Sequence, residues 1–366
     1  MADEKATAPA PAPAKHYDLK IMTWNVNGIR ARLRKNQLDP LLNEKFDIVL
    51  LQETKADEAQ IKLPEKFKAA YPHQFYRSTS LRKGQSGTAV WSKHEPLGLL
   101  DPPACDLEGR VTTVEFPNFI VVSVYVPNSG SKHAFRVGDW HEQWTDYLKD
   151  LRRRKPTIVG GDMNVCHEDI DIWNPTKSAD RIAGFLNIER EQFRSYFDLG
   201  YVDAFRALYP RRRGAWTWWN PRNPRIREAD RAGWRLDYFM VSDTGFDVAH
   251  PEQGRMPHED DTDDEEEQGA VDDYALQAAI ERTAAQQTKF LPRQTSIMSF
   301  MGNFGKKVVV DAPPAEVQPE EKDEAEDAPE LRAKHKFVGC HRRRFIVGSD
   351  HCPVVGFLRL AVPKKK

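Results

Sequence analysis

Along most of the chain, short and dense apolar runs alternate with longer stretches in which apolar residues recur at helical spacing. The short runs predict strands at residues 19–25, 47–52, 74–80, 88–92, 111–116, 119–126 and 234–241, with Pro117-Asn118 as a hairpin turn. Helical spacing predicts a helix or helix-loop at 29–43 and helices at 139–153 and 187–199, the 139–153 helix through Trp140, Trp144, Tyr147, Leu148 and Leu151. From about residue 246 the periodicity stops. Residues 259–267 and 319–330 are acidic runs that cannot pack, so 247–337 reads as a mostly disordered insertion with one helix expected at 271–287. Apolar runs then return at 344–347 and 353–360. The insertion therefore interrupts a single domain, 18–246 with 338–362, rather than separating two. Residues 1–17, rich in Ala and Pro at the start, read as a disordered tail.

Five of the apolar runs end in polar side chains. Ile158-Val159-Gly160-Gly161-Asp162-Met163-Asn164 stops at two glycines, which predict a turn, and sets an acid and an amide two residues apart, on one side if the segment is extended. The others are Thr23-Trp24-Asn25-Val26-Asn27, Val49-Leu50-Leu51-Gln52-Glu53, Val124-Tyr125-Val126-Pro127-Asn128 and Gly348-Ser349-Asp350-His351. Strands that pool such ends at one edge of a sheet make a site.

Charge sharpens the picture. The formal net charge is only -1, yet residues 251–334 hold 9 Lys/Arg against 21 Asp/Glu, so the remainder is basic by 11. A basic body suits a polyanionic substrate, or merely a soluble surface. Four widely spaced cysteines without a Cys-x-x-Cys pair disfavour a zinc ribbon and suit a reducing, intracellular setting. No stretch spans a membrane, and no Walker loop or serine elbow is present.

Glu53 and Asp350 are candidates for a hard divalent cation such as Mg²⁺, which favours one or two carboxylates plus substrate oxygens. Asp237 beside His351 makes an acid–imidazole pair able to hold charge against a phosphate oxygen. Asp162 would orient or deprotonate a water, Asn164 fix its geometry and Tyr125 donate to the phosphorus centre. Trp218 and Trp234, following the basic cluster at 211–213, either line a substrate pocket or belong to the core.

Trp24-Asn25-Val26-Asn27-Gly28, Leu51-Gln52-Glu53-Thr54-Lys55, Tyr125-Val126-Pro127-Asn128, Gly161-Asp162-Met163-Asn164, Trp234-Arg235-Leu236-Asp237-Tyr238 and Ser349-Asp350-His351-Cys352-Pro353-Val354 resemble, in order, the motif series of the exonuclease III family of apurinic/apyrimidinic endonucleases. The resemblance implies an α/β fold, a four-layer sandwich of the DNase I-like endonuclease/exonuclease/phosphatase type. It implies Mg²⁺-dependent hydrolysis, with Mn²⁺ as an alternative, of the phosphodiester 5′ to an abasic site in base excision repair. Activity at blocked 3′ ends, as 3′-phosphodiesterase or 3′-to-5′ exonuclease, goes with it. Tyr125, Asn128, Asp162, Asn164, Asp237 and His351 would be catalytic. Asn27, Glu53, Asp162, Asn164, Asp350 and His351 would surround the cation. Asn25 would stand beside both cation and substrate, and Asn174 would contact a phosphate. Trp218, Trp234 and Leu236 would receive the extruded abasic sugar and exclude a base by size. Two departures, Asn27 and the Ser129-Gly130-Ser131 run, lean toward bacterial-type relatives. The implied protein is a nuclear monomer acting on duplex DNA. The alternative is a catalytically weak DNA- or clamp-binding scaffold of the same fold.

Gln294, Ile297, Phe300 and Met301, within residues 294–301, resemble a sliding-clamp-interacting motif in which a glutamine, an aliphatic residue and large apolar side chains plug a hydrophobic pocket. A peptide of residues 289–307 is expected to bind a sliding clamp by calorimetry and to lose binding on Phe300→Ala. No heat of binding from the unmodified peptide would end this expectation.

Overall fold

In the computed structural model, residues 18–79, 81–248, 335–344 and 346–360 are described, all of them within one compact unit made of residues 1–259 and 332–366. The first strands show how the apolar runs are used. Strands β1 (Leu19–Asn25) and β2 (Ile48–Gln52) are buried at every position, which a strand reaches only when both its faces are covered. They pair in parallel, Ile21 opposite Ile48 and Asn25 opposite Gln52. With β3 (His73–Arg77), β4 (Thr88–Ser92), β11 (Phe246–Val248), β12 (His335–Arg342) and β13 (Val354–Arg359) they form a sheet of order β11-β12-β13-β1-β2-β4-β3. The second sheet is built from β5 (Gly98–Leu100), β6 (Val111–Glu115), β7 (Ile120–Tyr125), β8 (Thr157–Asp162), β9 (Tyr201–Asp203) and β10 (Asp237–Ser242), in the order β5-β6-β7-β8-β10-β9.

The two sheets pack face to face. Alternation along β8 assigns its side chains: Ile158 joins Leu50, Val90, Val121 and Phe239 between the sheets, while Val159 joins Trp144, Leu148, Phe193 and Met240 on the outer face. That outer layer comes from the helices His141–Arg154 and Asn187–Asp198. Short helices flank the other sheet, and their Ile29, Leu41 and Phe67 join the core. The result is a four-layer α/β sandwich. Each large side chain so buried contributes about 1.5–3 kcal/mol against exposure. A polar link also crosses between sheets: Gln52 Nε2 donates to Ser123 Oγ at 2.9 Å, and Ser123 Oγ donates to the Leu51 carbonyl at 3.2 Å.

Several expectations need correction. The glycines at 160 and 161 do not turn the chain; both stay paired within β8. They are required by close approach, since a Cβ on Gly161 would lie 1.9 Å from the Val124 carbonyl oxygen and one on Gly160 2.6 Å from Leu50 Cδ1. Among the described residues of the apolar run at 344–347, none is in a strand: β12 ends at Arg342, Ile346 is buried, and Val347 is 56% exposed on the loop toward residue 350. β10 begins at Asp237 rather than at Trp234, whose backbone makes only isolated bridges to Ile172 and Trp218. The 29–43 segment, read as a helix or helix-loop, is two helices, Ile29–Arg34 and Pro40–Glu44, broken where Asn36 takes a positive φ and Pro40 starts a new turn. Pairing also runs past the expected edges of the insertion, because β11 and β12 align in parallel with Phe246 opposite His335. The tail, the 271–287 helix and the clamp-like Gln294, Ile297, Phe300 and Met301 lie outside the described residues.

Gly161→Ala forces its methyl into the backbone of the neighbouring strand. It is expected to lower unfolding free energy by about 3 kcal/mol in urea denaturation. A loss under about 0.5 kcal/mol, as on an open surface, would contradict the close approach.

Candidate active site

Because β1 runs parallel to β2 and β7 parallel to β8, their C-terminal ends share an edge, where α/β sheets present their chemistry. Just beyond these ends the backbone leaves the extended conformation: Asn27, Glu53 and Asn164 have φ of 45°, 51° and 48°. Left-handed conformations at non-glycine residues cost about 1–3 kcal/mol each and gather at functional sites. Asn164 therefore reaches the site by a turn and not by the parity of a strand. Its N–H donates to Asp162 Oδ1 at 2.9 Å and its Nδ2 to the Val126 carbonyl at 2.7 Å.

Asp162 and Asp237 stand directly opposite each other across the antiparallel β8–β10 ladder. They are 1% and 2% exposed. His351, 4% exposed, arrives from the loop before β13. Its Nδ1 lies 2.8 Å from Asp237 Oδ2 and its Nε2 3.7 Å from Asp162 Oδ2. Burial disfavours an imidazolium here, but the flanking Asp237 and Asp162 carboxylates outweigh it and hold His351 up to about 10. Burial likewise drives the Asp162 carboxyl up to about 7; His351 opposes this shift and Asp237 adds to it.

Asn25 joins the two sheets, donating Nδ2 to Glu53 Oε1 at 3.0 Å and to Asp162 Oδ2 at 2.9 Å. Asn27 Nδ2 donates to Asp350 Oδ1 at 2.8 Å, and the Trp218 indole donates to Asp350 Oδ2 at 3.1 Å. Desolvation at Glu53 is outweighed by Lys55, Asn25 and Tyr125, which hold its carboxyl low. At Asp350, His351, Asn27 and Trp218 do the same against burial. Burial, with the Glu53 and Asp162 carboxylates near it, pushes the Tyr125 hydroxyl well up, so it stays a neutral donor. Asn128 Nδ2 donates to Asn164 Oδ1 at 3.2 Å, while Asn128 Oδ1 caps the helix Ser129–Phe135 through the Gly130 N–H.

Trp218 and Trp234 meet edge to face at 5.5 Å, and both pack with the nearly buried Leu236 against Ile172, Phe185 and Cys166. The expected pocket side chains thus share one wall, coupled to Asp350 through the Trp218 indole. Asn174 is placed differently: its Oδ1 caps the helix Pro175–Ser178 at 3.3 Å from the Lys177 N–H, and its neighbours Trp173 and Pro175 line a cleft of about 530 Å³ with Arg213 and Trp216.

Two groups of side chains are candidates for a cation. Asp162, Asp237 and His351 offer ligand atoms within 4.8 Å of one another, but the imidazole can ligate only when neutral, and here the two carboxylates hold it charged. The second group is Glu53 with Asn27 and Asp350. Lys55 Nζ lies 2.6 Å from Glu53 Oε2 and 2.5 Å from Asn27 Oδ1, so this set is already matched to one positive charge. Hard oxygen donors fit Mg²⁺ or Mn²⁺.

Residues that the sequence reading passed over hold the site in place. Thr217 Oγ1 accepts the N–H groups of Leu236 and Asp237. Ser349 Oγ donates to the Asn25 carbonyl at 2.7 Å, and the Trp24 indole to the His351 carbonyl at 3.2 Å. Buried Asp171 takes Arg235 bidentately at 2.8 and 2.9 Å, which anchors the segment between Trp234 and Asp237. Trp24, Lys55 and Arg235 sit inside motifs already legible in the sequence and Thr217 adjoins Trp218; Asp171 lies in no motif.

A sandwich with acids, amides and one charged imidazole gathered at its strand ends suits hydrolysis at a phosphate ester. The comparisons agree. Residues 22–351 match the profile of the Endonuclease/Exonuclease/phosphatase family. An exodeoxyribonuclease of Bacillus subtilis (strain 168) is 42% identical over 234 residues, 62% of this chain and 89% of the relative. DNA repair nuclease APEX1 of Danio rerio is 40% identical over 232 residues, 62% of this chain and 73% of that protein. The structure of an AP endonuclease from Archaeoglobus fulgidus superposes with a TM-score of 0.61 at 21% identity, covering 94% of this chain and 100% of that one, a likeness of fold. The chain belongs to the exonuclease III/AP endonuclease family of DNA-repair nucleases, within the Endonuclease/Exonuclease/phosphatase family. Among the described residues no helix is long and apolar enough to cross a membrane.

The raised His351 group favours the folded state fully below its ordinary 6.5, and that contribution is lost as pH rises toward about 10. Wild-type unfolding free energy relative to His351→Gln is therefore expected to fall by roughly 1–3 kcal/mol across that window in urea titrations. A difference independent of pH would refute the charged pair.

Proposed function

We propose that this protein hydrolyses the phosphodiester 5′ to an abasic site in duplex DNA, with further action at blocked 3′ ends. The observation that carries the reading is the adjacency of two features: the Asp162–His351–Asp237 cluster, and the Trp218–Trp234–Leu236 wall tied to it through Asp350. A wall of large rings admits a baseless sugar and excludes a nucleotide bearing its base.

Displacement at phosphorus depends on positioning and charge neutralisation. Asp237 holds the His351 imidazolium with Nε2–H free to donate to a phosphate oxygen. The Asp162 carboxyl, raised toward neutrality, is suited to take the proton of an attacking water, and the Asn164 and Asn128 amides fix where that water lies. Tyr125, kept protonated, donates a hydrogen bond to the phosphate. Glu53, Asn27 and Asp350 would hold Mg²⁺ or Mn²⁺, which when bound supplies further neutralisation of phosphate charge. Asn25 keeps Glu53 and Asp162 in register, and Asn174 contributes a phosphate contact from its loop. Action as a monomer, nuclear residence and recruitment by a sliding clamp complete the reading and are supported by the sequence alone.

With Mg²⁺, the purified protein is expected to nick a duplex carrying one tetrahydrofuran abasic analogue, to spare the intact duplex and to lose activity with a chelator. Asp162→Asn and His351→Gln are each expected to lower kcat by about 10²–10⁴-fold. Equal cutting of intact duplex, or full activity in either variant, would overturn the reading. DNA binding without any cleavage would favour the scaffold alternative.

A further inference from the structure

One buried cation near the site has no part in the chemistry above. Arg110 precedes β6 and is 4% exposed. It holds Tyr125 at three points. The Arg110 carbonyl accepts the Tyr125 N–H at 2.8 Å, its Nη1 donates to the Tyr125 carbonyl at 3.1 Å, and its guanidinium lies 4.6 Å over the Tyr125 ring. Both backbone polar groups of the tyrosine and one ring face are thus taken by a single residue. The guanidinium is itself fixed, because Nε donates to Glu108 Oε2 at 2.7 Å. The other Glu108 oxygen accepts Gln85 Nε2 at 2.6 Å and pairs with Lys132.

From this geometry we infer that Arg110, fixed by Glu108, is a positioning residue: it sets where the Tyr125 hydroxyl points and balances the two carboxylates that face it. The inference rests on the proposed role of Tyr125. The physical need is specific. The Glu53 carboxylate lies near the Tyr125 hydroxyl, so a loosely held ring could turn its hydrogen bond there instead of to phosphate. Stacking on one face leaves the ring its two-fold flip and removes the lateral freedom that would misplace the hydroxyl. Arg110 also places a positive charge beside a ring whose other neighbours, Glu53 and Asp162, are acidic. A lysine keeps the charge, but its point-like ammonium cannot bridge a carbonyl and a carboxylate while lying flat on a ring.

The test is a double-mutant cycle on full-length protein with the abasic-analogue duplex. Arg110→Met is expected to lower kcat about 30-fold and Arg110→Lys about tenfold, each with KM within about threefold of wild type. Combined with Tyr125→Phe, Arg110→Met should add less than about twofold, because its effect passes through the tyrosine. Glu108→Gln, which leaves Arg110 in place but loosened, should show the same non-additivity and carries the test if Arg110→Met does not fold at the assay temperature. Multiplicative losses in the cycle, or unchanged kcat in Arg110→Met, overturn this inference while leaving the nuclease reading intact. Wild-type protein that fails to nick, or Tyr125→Phe with full activity, overturns the reading beneath it.

Discussion

Asp162 and Asp237 sit opposite each other on neighbouring antiparallel strands, both buried, and like charges in that position repel. What makes the arrangement tenable is the imidazolium of His351, 2.8 Å from one carboxylate and 3.7 Å from the other. The ion pair does not exist for stability; buried carboxylates and a buried cation each lose hydration, and well-packed apolar side chains would serve the core as well. In the proposed reaction it serves as a poised charge. Asp237 orients the ring, burial drives the Asp162 carboxyl up to about 7, and the ring turns its remaining nitrogen toward that second carboxylate.

The rest of the fold explains how three such groups come together. Parallel pairing inside each sheet puts the ends of β1, β2, β7 and β8 along one edge, and the face-to-face core keeps the two edges in register. Asn25 spans the gap by bonding Glu53 on one side and Asp162 on the other. The loop before β13 is then stitched down by Ser349 to the Asn25 carbonyl and by the Trp24 indole to the His351 carbonyl. Left-handed turns at Asn27, Glu53 and Asn164 aim the side chains inward, and the cost of those turns is borne by the apolar layers on either side. From this edge the Trp218 indole continues to Asp350, so the aromatic wall and the carboxylates form one hydrogen-bonded surface.

Much of this was legible in the sequence because strand ends and motifs coincide. Glu53, Tyr125, Asp162 and His351 close or follow an apolar run and Asp237 opens one, and the structure gathers their side chains near one edge. The readings that failed did so for physical reasons. Glycines usually mark turns, but Gly160 and Gly161 are demanded by neighbours too close for a side chain, information held in the packing and not in local propensity. Periodicity could not show that the 344–347 run serves a loop, because Ile346 is buried by tertiary contact alone. Trp234 reads as the start of a strand, yet its backbone is diverted to face Trp218. Arg110 and Asp171 were invisible for a related reason: a buried charge is recognised only once its partners are known, and those partners lie on other segments of the chain.

The protonation state of His351 tests the account most directly. Long-range ¹H–¹⁵N NMR on imidazole-labelled protein at pH 8 should show both ring nitrogens of His351 protonated, and Asp237→Asn should return a neutral ring under the same conditions. A neutral His351 in the wild-type protein at pH 8 would contradict the claim that two facing carboxylates hold a buried cation between them.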